Sequence, residues 1–97
     1  MIRPANFQSL KDVIDSYVKL HKLTDGILEA KIKEHWAAVT GKLISQRTLS
    51  ITFKSKELVI RLNSSVVREE LTYQSDELRK NLNNLLGSDA IATIKFL

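Results

Sequence analysis

The sequence contains no cysteine. That excludes a disulfide framework, a thiolate nucleophile and a cysteine-based zinc site. Proline occurs once and glycine three times, too few for a long flexible linker, and no low-complexity tract or solenoid-period repeat is present. No run of about 18 apolar residues is present to cross a membrane. No apolar stretch follows Met1 to Leu10, so a signal peptide is not expected. Cytoplasm is the compartment these absences point to. His21 and His35 are the only histidines; with no carboxylate set at a zinc spacing they read as helix-flank residues, and no metal or cofactor is expected.

Catalytic patterns are missing as well. Gly41-Lys42 fails as a phosphate-binding loop, because that pattern needs a glycine where Trp36 stands. Glu69 and Glu70 are helical neighbours whose side chains diverge, so they do not converge on one substrate; the helix dipole explains them better. No Ser-His-Asp or Gly-x-Ser-x-Gly arrangement is recognisable. The expectation is a protein that is not an enzyme.

What the chain does contain is an ordinary globular balance, 43% hydrophobic and 27% charged over 97 residues, which suits one domain spanning 1–97. The net charge is +4 and it is uneven. Residues 1–61 hold eleven Lys/Arg against six Asp/Glu, a surplus of +5, while residues 62–97 hold four against five, a balance of −1. A mildly basic domain permits binding to nucleic acid or an acidic partner without requiring it.

Periodicity predicts a first helix from Asn6 to about Lys22, with Phe7, Leu10, Ile14 and Tyr17 as its core stripe, widened by Val13 and Val18. Thr24 or Asp25 can cap a second helix whose apolar line is Leu28, Ile32, Trp36 and Val39 and which stops at Gly41. Leu43 and Ile44 suit a short extra turn. The period then changes to two: Leu49, Ile51 and Phe53 alternate with Ser50, Thr52 and Lys54. Leu58, Ile60 and Leu62 alternate with Val59, Arg61 and Asn63. A hairpin turning at Ser55-Lys56 pairs Phe53 with Leu58 and Ile51 with Ile60, a register that puts the apolar residues on one face. A third helix follows, capped by Asn63, Ser64 or Ser65 and carrying Val67, Leu71, Leu78, Leu82 and Leu85 to a stop at Gly87. Ile91 to Leu97 reads as a third strand with Ala92, Ile94 and Phe96 on one side. The order α-α-β-β-α-β describes an α+β, two-layer sandwich: helices cover one face of a small three-stranded sheet and the other face stays open.

An ordered set of short elements resembles the DciA family. It comprises Trp36-Ala37-Ala38-Val39-Thr40-Gly41, Ile44, Thr48, the strand Leu58-Val59-Ile60-Arg61-Leu62, Ser64-Ser65, Glu70-Leu71, Leu82-Asn83, Leu86-Gly87 and Ile91-Ala92-Thr93-Ile94-Lys95-Phe96. The resemblance implies a bacterial protein with a K-homology-like fold. It also implies a partner, the hexameric replicative helicase, with a role in placing that helicase on DNA and contact with DNA itself. Two departures stand out. Val66-Val67 follows the Ser-Ser pair where many members carry an aromatic residue. The long extension that many members carry before or after the domain is not present in this sequence, so contacts made by such an extension are not implied here. The Gly-x-x-Gly loop of true K-homology domains is absent too.

The register places Ser50, Thr52, Lys54, Val59, Arg61, Thr93 and Lys95 on the open face. Lys54, Arg61 and Lys95, extended by Lys42 and Arg47 just before the first strand, are the candidate nucleic-acid-binding residues. The same residue types are ordinary on any solvated antiparallel face, so both readings stand. Phe53 and Phe96 fall on the core side, which leaves no exposed ring pair for stacking; sequence-indifferent, salt-sensitive contact with the DNA backbone is the form of binding expected. Tyr73, off the stripe of its helix, is the candidate partner contact. Trp36 reads as a core anchor. The competing function is a protein-interaction domain, or a homodimer, without nucleic-acid binding. Its surface would be the charged side of the first helix or an exposed sheet edge.

Overall fold

The alternating residues after Gln46 form the expected hairpin. In the computed structural model, which describes residues 7–97 with side chains from Leu10 onward, strand β1 spans Thr48–Lys54 and pairs antiparallel with β2, Glu57–Leu62. Phe53 lies opposite Leu58 and Ile51 opposite Ile60, the predicted register. The two-residue turn is made without glycine. Ser55 and Lys56 both take positive φ, 51° and 67°, the backbone that matches strand twist in a tight hairpin.

Strand β3, Thr93–Phe96, adds to β2 in parallel, so the sheet order is β1-β2-β3. It is shorter than expected. Ile91 is buried before the strand begins and Ala92 is exposed, while Ile94 and Phe96 pack half-buried against the core.

One expected strand residue turns outward. The register shifts between Thr48 and Ser50, and Leu49 is 64% exposed instead of lying in line with Ile51 and Phe53. This bulge brings Thr48 round to the helix side. There its hydroxyl accepts the Trp36 indole N–H at 2.9 Å and donates to the Ile44 carbonyl at 2.8 Å. Trp36 is thereby both buried and satisfied, as a core indole requires.

The helices depart from expectation in two places. The two N-terminal helices are one: α1 runs unbroken from Phe7 to Thr40, followed by the short α2, Lys42–Gln46. The expected capping residues are otherwise engaged. The Thr24 hydroxyl donates to the Leu20 carbonyl at 2.9 Å, within the helix, and the Asp25 carboxylate accepts the Ser55 N–H at 3.2 Å. Gly26 costs a helix about 1 kcal/mol relative to alanine but does not end it. Conversely, the expected third helix is two, α3 at Ser65–Tyr73 and α4 at Ser75–Leu86. They are joined at Gln74, whose φ of −102° and ψ of 12° leave the helical region. The acidic pair Asp76 and Glu77 in the first turn of α4 marks that restart. Ser64 caps α3, its Oγ accepting the Val67 N–H, and Gly87 ends α4 in the left-handed conformation.

The resulting order is α-α-β-β-α-α-β, an α+β fold with helices on one face of a three-stranded mixed sheet. The core lies between the layers: Ile32 and Trp36 of α1, Ile51 and Phe53 of β1, Leu58, Ile60 and Leu62 of β2, then Val67, Leu71, Leu78, Leu82 and Ile91. The N-terminal half of α1 does not join it. Every residue from Leu10 to Thr24 is exposed, including Leu10, Ile14 and Tyr17 of the expected core stripe; Asn6 and the Phe7 side chain lie outside the described set. A 34-residue helix is about 51 Å long, and the molecule measures 56 × 24 × 21 Å. Its radius of gyration, 17.1 Å, exceeds the roughly 13 Å of a spherical domain this size. The excess is the projecting arm.

One buried polar residue organises the return from α4 to β3. Asn83, 5% exposed, donates from Nδ2 to the Ile91 carbonyl at 3.0 Å and accepts the Ile91 N–H at Oδ1 at 2.9 Å. Both backbone groups of Ile91 are thus paired inside the core. Asn83→Ala removes both bonds and leaves two buried groups unsatisfied, so it should lower the unfolding free energy by about 2–4 kcal/mol. Urea denaturation measures this directly; a loss below about 1 kcal/mol would show that water replaces the side chain.

Candidate nucleic-acid interface

The face of the sheet away from the helices is polar because the strands alternate and only one face is covered. Ser50, Thr52 and Lys54 come from β1, Glu57, Val59 and Arg61 from β2, and Thr93 and Lys95 from β3. Along β2 the pattern is exposed-buried, with Val59 half-buried. Cross-strand pairing fixes their positions. Lys95 stands beside Val59, which faces Thr52; Arg61 faces Ser50; Lys54 faces Glu57, which stands beside Thr93.

Strand spacing then sets the separations between backbone positions. Arg61 and Lys95 lie one strand and two residues apart, roughly 8 Å, and Lys54 and Lys95 two strands and two residues apart, roughly 12 Å. The three cations occupy a triangle with hydroxyls and one valine between them. None of the three forms an ion pair among the described residues, where Lys33 with Glu29 is the pair present. Glu57 is opposite Lys54 in register yet makes no salt bridge with it. Unpaired cations with long stems can reach oxyanions without first breaking a protein contact.

The other two candidate cations sit off this face. Arg47 caps α2, and its carbonyl accepts the Asn63 N–H at 3.0 Å, which places it at the Arg61 end of the hairpin. Lys42 is at the start of α2, a turn of helix further away. Both are exposed. Tyr73 closes α3 and is 83% exposed, the barest of the large hydrophobic residues among those described. Among the described residues no aromatic ring lies on the open face: Phe53 is buried and Phe96 half-buried on the core side. The surface can therefore attract phosphates but offers no stacking platform.

A second concavity was not foreseen from sequence. An open groove of about 800 Å³ runs between the α1 arm and the tip of the hairpin, with Tyr17, Val18 and Leu28 on one wall and Phe53, Lys54 and Lys56 on the other. Tyr17 and His21 pack ring on ring within it, centroids 4.2 Å apart. The groove holds no nucleophile paired with a base, and no group of three potential metal ligands occurs among the described residues. No helix described is long and apolar enough to cross a membrane.

The Trp36–Thr48 contact, the Ser64 cap and the Asn83–Ile91 clamp all use residues of the ordered set that runs from Trp36 to Phe96. The family model described as Dna[CI] antecedent, DciA, matches residues 9–96. The chain belongs to the DciA family. None of the curated proteins matches it. Membership of DciA associates the chain with loading of the replicative helicase. Within this DciA domain the arm of α1 is the exposed feature that sequence reading assigned to the core. Its signal was present as apolar residues on more than one side of the helix, a pattern wider than a single core stripe.

Because Lys54, Arg61 and Lys95 make no described ion pair, replacing all three should leave the fold intact. The variant Lys54→Gln, Arg61→Gln, Lys95→Gln is expected to change unfolding free energy by less than about 0.5 kcal/mol per site. Thermal and urea unfolding check this, and a larger loss would assign these residues to stability instead of recognition.

Proposed function

We propose that this chain is a non-catalytic accessory module of DNA replication that binds the replicative helicase and touches DNA through its phosphate backbone. Family membership over residues 9–96 carries the helicase part of the reading. The open sheet face, with Lys54, Arg61 and Lys95 unpaired and no exposed ring beside them, supports the DNA part. Lys42 and Arg47 extend that surface toward α2, and Tyr73 is the proposed partner contact. Contacts of this kind position a protein on DNA without reading sequence. They suit a factor that must work wherever the helicase is placed.

A second reading is a protein-interaction domain with no affinity for nucleic acid. The bare Tyr73 and the apolar arm favour it, since both are surfaces for protein.

One pair of experiments separates these readings. Purified chain is mixed with the replicative helicase of the same organism and the complex sized by light scattering, and DNA binding is followed by fluorescence anisotropy over a salt series. The proposal expects co-elution at defined stoichiometry. It also expects the triple glutamine variant to weaken DNA binding and to reduce the salt slope by about 2 on single strands and nearly 3 on duplex. An unchanged slope would remove the sheet face from the proposal. Absence of co-elution with both proteins folded would remove the helicase.

A further inference from the structure

We propose that the arm of α1 is a self-association surface on which two copies of this chain pair as antiparallel helices, an inference independent of the helicase and DNA reading. Eight large hydrophobic residues between Leu10 and Ile27 are 43–63% exposed, far more than a solitary helix in water accounts for. Six positions of this segment follow strict three-four spacing: Leu10, Val13, Tyr17, Leu20, Thr24 and Ile27. That is a seam of a and d positions over nearly three heptads, the pattern by which helices pair with helices. It stops where the next two such positions are Lys31 and Glu34.

The seam is complementary to itself. Two copies run antiparallel about a two-fold axis between Tyr17 and Leu20 place Leu10 against the partner copy's Ile27 position, Val13 against Thr24 and Tyr17 against Leu20. Each layer then matches an a with a d position, the isologous arrangement of a symmetric dimer. Thr24 is the one polar member. Its hydroxyl already donates to the Leu20 carbonyl of its own helix at 2.9 Å, so it enters an apolar seam without an orphaned donor.

Charge permits the pairing. The flanking e and g positions are Ser9, Ile14, Ser16, His21, Leu23 and Leu28, with no Lys, Arg, Asp or Glu to repel its counterpart. Lys11, Asp12, Asp15, Lys19, Lys22 and Asp25 lie toward the far side of the helix. The area suffices too. Half-exposed side chains of this size leave on the order of 100 Å² each, so the seam with Ile14 and Leu23 offers roughly 700 Å² per copy, close to the ~800 Å² per partner of a standard specific interface. Antiparallel order follows from shape. Paired helices lie about 8–10 Å apart, whereas the short dimensions of the molecule are 24 and 21 Å; parallel arms would bring the two bodies into collision and antiparallel arms set them at opposite ends.

Sedimentation equilibrium of the full chain from micromolar to millimolar concentration tests this. Two 11.0 kDa chains should give a dimer mass, and Leu20→Glu, at the centre of the seam, should return the mass to monomer with at least a hundredfold weaker association. Lys19→Glu, adjacent in sequence but on the far side, should leave the dimer intact. Circular dichroism and urea unfolding of the monomeric variant confirm that its body is folded, since the arm touches none of the core. A monomer mass at every concentration overturns the proposal and assigns the arm to a different protein. A dimer that persists in Leu20→Glu overturns it as well, because the contact then lies elsewhere.

Discussion

A three-stranded sheet has two edges for one interior strand, and the outward N–H groups of an edge must find partners. Here α1 lies along β1 and supplies them from side chains. Glu29 accepts the Phe53 N–H at 2.8 Å and Asp25 accepts the Ser55 N–H at 3.2 Å. Residues four apart on a helix rise about 6 Å, and alternate residues of a strand advance about 6.7 Å. The two carboxylates therefore match two successive outward amides. Glu29 holds Lys33 with its other oxygen at 3.4 Å, which keeps the carboxylate in place. Charge-assisted bonds of this type exceed neutral ones, and here they occupy two outward amides at the hairpin end of β1.

That contact determines much of the remaining architecture. The contacts of Asp25 at the hairpin tip and of Trp36 over Thr48 lay the helix along β1 from residue 25 to residue 36, and α1 continues N-terminal of Asp25 without a break. Ile32 and Trp36 then press on Ile51 and Phe53 from one side while α3 and α4 close the layer. The cost is that a straight helix overshoots a small sheet. Its first turns stand beyond the body with apolar side chains bare. The molecule consequently presents two unlike surfaces, a cationic sheet face and an apolar helical arm.

The hairpin was legible because its period of two and its two-residue turn leave one register that buries the apolar set. Lys54, Arg61 and Lys95 followed from that register. Leu49 did not, because a bulge is a response to the neighbouring helix: Thr48 is drawn under Trp36 and Leu49 is displaced. The continuity of α1 was hidden for a related reason. Thr24 and Asp25 have the chemistry of caps, and only the tertiary position of Ser55 shows where the Asp25 carboxylate is used. Periodicity showed that the first helix has apolar faces without showing what covers them. The break at Gln74 was similarly silent, since Leu71 and Leu78 keep helical spacing across it. Lys42 and Arg47 lie near the site in sequence, but α2 carries Lys42 off the sheet.

The continuity of α1 is the claim on which the exposed arm depends, and a distance measures it. The chain has no native cysteine, so Asp12→Cys and Glu34→Cys accept two spin labels, one on the arm and one beside the core. With labelled chain diluted into unlabelled chain, double electron–electron resonance reads the distance within one copy. A continuous helix sets these 22 residues roughly 33 Å apart. A helical hairpin turning near Thr24 would bring them to the spacing of packed helices, about 10 Å between axes. A single narrow distribution near the long value is the result expected here. A dominant short distance would show that the arm folds back on its own body and would contradict the account.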